Sequence, residues 1–132
     1  MLLSGIHAGF MIIGFFILLA GFFTARFMKS KRWWLKTHRT LGVYGSSITI
    51  LGFLAILFHL LFPGRPHFTQ SHAYLGLAIV ILAFVMPALG FIQLKIGKAA
   101  GKIRPMHRLF GWIMLMAMLI NIVLGMLIAD IL

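Results

Sequence analysis

Four long stretches of this chain carry no formal charge: Met1 to Ala25, Thr40 to Gly64, Pro66 to Leu94 and Leu109 to Ala129. Each exceeds the roughly 20 residues that a helix needs to cross a hydrocarbon core of about 30 Å. Inside such a core the backbone has no water to bond to, so isolated apolar runs satisfy their N–H and C=O groups as helices. The chain is 62% hydrophobic, with one acidic residue, Asp130, among 132, too little polar surface for a water-soluble domain. The expected fold is all-α: a single domain, 1–132, forming an up-down-up-down bundle of four transmembrane helices over about 2–26, 37–62, 70–94 and 106–130. The first run lacks a basic leader and a small-residue cleavage site, so it reads as a span rather than a signal peptide. Pro87 is expected to kink the third span, with Met86 before it biased away from helical geometry.

Charge orients the bundle. The first connection holds Arg26, Lys29, Lys31, Arg32, Lys36 and Arg39, and the third holds Lys95, Lys98, Lys102, Arg104 and Arg108. Only Arg65 falls on the opposite side. Basic loops stay in the cytoplasm, so both termini are expected outside, in an integral membrane protein. The brevity of the chain leans toward a prokaryotic plasma membrane. The net charge of +11 does not point to nucleic acid, because the cations sit between apolar runs where anionic lipid headgroups meet them. Cysteine is absent, which excludes iron–sulfur clusters, thioether-linked haem and disulfides.

Against this apolar background the histidines stand out. His38-Arg-Thr-Leu-Gly42, His72-Ala-Tyr-Leu-Gly76 and His107-Arg-Leu-Phe-Gly111 each place an imidazole just inside a span, with a glycine one helical turn further in. His7 opens the first span, with Gly14 at heptad spacing; Gly45 repeats that spacing after His38. His7 and His72 begin spans running one way, His38 and His107 spans running the other. Spans one and three are diagonal in such a bundle, as are two and four, so each diagonal brings two histidines to one depth. Bis-His ligation of two haem b groups is the expected outcome, His7 with His72 and His38 with His107 as axial iron ligands. Gly14, Gly42, Gly45, Gly76 and Gly111 are expected to leave room for the macrocycles. His59, Arg65, His67, Lys36 and Arg104 are candidate contacts to propionates or substrate, with His59 the less favoured alternative ligand.

The segments His7-Ala-Gly-Phe-Met-Ile-Ile-Gly14, Lys36-Thr-His38, Ser71-His72-Ala-Tyr-Leu-Gly76 and Arg104-Pro-Met-His107-Arg-Leu-Phe-Gly111 resemble, in order, the four ligand-bearing helices of the eukaryotic-type cytochrome b561 family. The likeness is strongest to the membrane half of its DOMON-linked ferric reductases. It implies two b haems and electron transfer across a membrane, commonly from ascorbate to monodehydroascorbate or ferric chelates. It also implies that cations near the cytoplasmic haem, in the neighbourhoods of Lys36 and Arg104, meet the donor. The chain shows only the four core helices, which leaves the substrate open.

The leading expectation is thus a di-haem cytochrome passing electrons between a donor on one face and an acceptor on the other. Its partners are lipid, a small-molecule or protein donor and acceptor, and, among arrangements the sequence leaves open, a redox subunit or a second copy as a homodimer. Two alternatives compete: a haem-bearing anchor subunit exchanging electrons with quinone, and a haem-free His/Met-lined metal transporter or structural bundle. Enzyme status is open between a transmembrane reductase and a quinone-linked oxidoreductase.

Overall fold

A computed structural model of the chain describes residues 2–60 and 71–129. Its helices are α1 (Leu2–Phe27), α2 (Trp34–Leu60), α3 (Ser71–Ile96) and α4 (Ile103–Ile128), all long and apolar enough to cross a membrane. The fold is an all-α membrane bundle of four spans. Each helix packs against its chain neighbour and α1 closes the ring on α4, while the diagonals α1–α3 and α2–α4 make no backbone contact among the described residues.

Two helices start about a turn before their expected first residue. In α2 the Thr37 N–H donates to the Trp33 carbonyl at 3.0 Å, extending the first turn to the interfacial tryptophans. In α4 Pro105 occupies the first turn, where the missing N–H has no intrahelical acceptor to lose. The expectation for Met86 is corrected: α3 runs unbroken through Pro87, with Met86 helical. A proline within a span removes one hydrogen bond, and packed neighbouring helices tolerate that better than an opened backbone would be tolerated in lipid. Gly97, with φ of 53°, ends α3 in a left-handed conformation that a side chain would strain, and a 3₁₀ turn over Gly97–Gly101 leads into α4.

At mid-depth the centre is filled by Phe15, Ile79, Ala83, Met114, Leu115 and Met118. The α1–α2 seam is different in kind. A Cβ on Gly14 would fall 2.6 Å from Thr49 Oγ1, and one on Gly45 would fall 2.7 Å from Leu18 Cγ. These two backbones therefore touch through glycine, the close approach that drives helix association where lipid provides no hydrophobic force.

Candidate functional site

Across the diagonals, where no backbones meet, histidine rings do. His7 and His72 have ring centres 6.1 Å apart and planes at 89°; His38 and His107 have ring centres 6.1 Å apart and planes at 88°. Three of the four rings are held from behind by a neighbouring helix. His7 Nδ1 lies 2.9 Å from the Gly52 carbonyl, His38 Nδ1 lies 2.9 Å from that of Gly21, and His72 Nδ1 lies 3.0 Å from that of Asn121. A carbonyl only accepts, so Nδ1 carries the proton and the Nε2 lone pair is free for a metal. His107 Nδ1 turns toward the Met86 carbonyl without reaching hydrogen-bond geometry.

These contacts follow one register. Gly21 lies fourteen residues after His7, Gly52 fourteen after His38, Met86 fourteen after His72 and Asn121 fourteen after His107. Every helix thus contributes a histidine to one layer and a backbone carbonyl to the other. At 1.5 Å per residue the layers are about 21 Å apart. One contains His7, Gly52, His72 and Asn121; the other contains Gly21, His38, Met86 and His107.

The glycines receive different neighbours from those expected. Gly14 and Gly45 face the α1–α2 seam, where a Cβ would strike Thr49 or Leu18. A Cβ on Gly76 would meet Asn121 Nδ2 at 3.4 Å, and one on Gly111 would meet Met86 Cε at 3.3 Å. The glycine one turn inward of a histidine thus accommodates the residue whose carbonyl faces that histidine. Gly42 has nothing within 4 Å of its Cβ position, because its counterpart, Gly21, has no side chain. Lys36 lines an open groove of about 710 Å³ between α2 and α3 with Arg39, Thr40, Val43, Tyr44 and Phe91. Arg104 instead donates to the Gly97 carbonyl at 3.0 Å and closes the turn before α4. His59 sits on the last turn of α2, one heptad beyond Gly52, and Arg65 and His67 lie outside the described residues. Sequence reasoning missed Asn121 altogether. Its signal was available: it is a lone amide in an apolar span, a default functional position in a membrane.

The chain matches the family model described as eukaryotic cytochrome b561 over residues 6–132. The chain belongs to the cytochrome b561 family. It is therefore a haem b protein of transmembrane electron transport. The family's eukaryotic description runs against the prokaryotic membrane suggested by the brevity of the chain. No curated protein and no solved structure matches the sequence.

The residues present fit a b561 haem. An iron held by both imidazoles of a couple, with metal–nitrogen bonds of about 2 Å and about 1 Å more to each ring centre, would need ring centres about 6 Å apart. Both couples have that spacing. Among the described residues no three His, Cys, Asp or Glu side chains gather into a site for a bare ion. Pairs suffice when a porphyrin brings its own four nitrogens.

Proposed function

We propose that the chain carries electrons across its membrane on two haem b groups, one held by His7 and His72 and the other by His38 and His107. The observation that carries this reading is the pair of imidazole couples, alike in spacing and angle, meeting across diagonals on which no backbones make contact among the described residues. When bound, haem supplies a one-electron ferric/ferrous couple. The chain's own contribution is orientation, basicity and dielectric. Donation of Nδ1–H to a carbonyl fixes the ring and makes Nε2 a stronger ligand. The apolar filling between the layers, led by Phe15, Met114 and Met118, keeps water out of the path.

The eleven cations at the end bearing His38 and His107 mark that face as cytoplasmic, with both termini on the other. The groove containing Lys36 and Arg39 flanks His38 in the chain and runs along the α2–α3 flank at this end of the bundle. Its two cations suit an anionic reductant such as ascorbate. Arg39 also lies over the Phe91 ring at 5.2 Å, which holds its guanidinium beside the groove. The family resemblance supports an acceptor of the monodehydroascorbate or ferric-chelate class at the other face.

A pyridine haemochrome assay with protein quantitation tests this directly, and two haems per chain are expected. His107→Ala should abolish one haem spectrum and spare the other, with His7→Ala doing the reverse. One haem per chain, or retention of both spectra in His107→Ala, would overturn the assignment.

A further inference from the structure

On the α3–α4 side the two histidine layers correspond position for position, and one side chain differs in kind. The Asn121 carbonyl faces the His72 ring, and the Asn121 side chain turns inward from there. Its Nδ2 lies 3.4 Å from where a Cβ on Gly76 would stand, one turn after His72. Met86 has the same place in the other layer. Its carbonyl faces His107, and its Cε lies 3.3 Å from where a Cβ on Gly111 would stand, one turn after His107. Helical side chains tilt toward the N-terminus of their helix, so both flank a histidine on the side facing the opposite layer. One is an amide, the other a thioether.

The amide is buried at a cost. Asn121 is 5% exposed, and its Oδ1 has no hydrogen-bond partner among the described residues. Leaving such an atom dry costs on the order of 1–3 kcal/mol, which an apolar residue in the same place would not incur. The adjacent imidazole supplies no donor. His72 Nδ1–H already goes to the Asn121 backbone carbonyl, and Nε2 is the iron ligand on the functional reading above, on which this inference rests.

With no hydrogen bond to fix it, a side-chain amide dipole orients in the field of a nearby charge. On the same reading that charge is the iron's. The ferric state carries one more positive charge than the ferrous state, so an orientable dipole stabilises it more than a thioether does. We propose that the Asn121 side-chain amide makes the two haem sites unequal, lowering the reduction potential at His7–His72 below the value an apolar lining would give. The carbonyl that holds His72 belongs to the backbone and survives substitution, so the amide can be removed without removing that hydrogen bond.

Redox titration of the holoprotein tests this, with the two potentials assigned from the His7→Ala and His107→Ala spectra. In Asn121→Leu and Asn121→Ala the His7–His72 potential should rise while the other stays in place. A tenfold gain in the reduced-to-oxidised ratio corresponds to about 59 mV for one electron. The reciprocal exchange, Met86→Asn, should lower the His38–His107 potential alone. Asn121 is the only asparagine in the chain, so ¹³C at the asparagine side-chain carbonyl reports on this group and no other. Its infrared band should shift as the His7–His72 haem is reduced and hold still as the other is. Two full redox amplitudes with an unmoved His7–His72 potential in the Asn121 variants, or a band indifferent to that haem, overturn the tuning role. Loss of the His7–His72 amplitude in both Asn121 variants overturns it too, since the amide would then hold the haem rather than tune it. A missing amplitude in the unsubstituted protein instead overturns the two-haem reading.

Discussion

The hairpins α1–α2 and α3–α4 meet the same requirement by different means. Each turns histidines toward carbonyls on its partner helix, and each must clear space for the rings. In α1–α2 the carbonyls belong to Gly21 and Gly52, so the acceptor position has no side chain. In α3–α4 the facing carbonyls belong to Asn121 and Met86, and the clearance moves four residues on, to Gly125 and Gly90. A Cβ on Gly125 would lie 2.9 Å from His72 Cε1, and one on Gly90 would lie 3.5 Å from His107 Cε1. The seams differ accordingly. Glycine brings α1 and α2 together at the backbone, whereas α3 and α4 pack through Ile79, Ala83, Met114 and Met118. Where the backbone of α2 lies 3.3 Å from a Cβ on Gly14, side chains such as Leu18 have little room to move aside, while a seam made of side chains alone can repack.

The sharpest way to break this contrast is Gly45→Leu. Its Cβ alone would fall 2.7 Å from Leu18 Cγ, and a full side chain would wedge α1 off α2. The expected cost exceeds about 4 kcal/mol, seen as loss of the cooperative melt by circular dichroism in detergent. A melt like that of the unsubstituted protein would show that the seam is not backbone-tight.

Met118→Ala probes the other seam. Met118 is 1% exposed, and truncation should cost about 2–5 kcal/mol, lowering the melting temperature without abolishing the transition. A loss as complete as that from Gly45→Leu would erase the distinction between the hairpins.

The smallest effects come from Gly125→Ala and Gly90→Ala. Alanine gains up to about 1 kcal/mol over glycine in a helix interior. At Gly90 an ordinary contact leaves that gain intact, so the protein should be as stable or slightly more so. At Gly125 the new methyl presses on the His72 ring. The low-spin electron paramagnetic resonance signal of one haem should shift there and nowhere else. Equal spectra from the two variants would mean that the rings are not where these glycines allow them.

Much of this was readable before any coordinates. Runs without charge marked the spans because lipid punishes unpaired charge so heavily. The meeting of His7 with His72 and of His38 with His107 follows from chain direction and depth in a four-span bundle. The heptad stripes His7, Gly14, Gly21 and His38, Gly45, Gly52 were visible as spacing, but their roles were not. A glycine records that a neighbour comes close without saying which neighbour. Gly14 and Gly45 admit the partner helix, Gly76 admits Asn121, Gly111 admits Met86, and Gly42 stays open. The carbonyl that faces each imidazole leaves no trace in residue type, since every residue has one. It became legible only as the fourteen-residue interval, once the structure showed both ends.

That interval ties the two faces of the membrane together mechanically. A helix that slipped by one turn along its axis would withdraw a histidine from one level and the carbonyl that faces a histidine from the other in the same movement. The bundle therefore has no half-correct alignment. Clamping either end fixes the axial position of every helix at the far end as well.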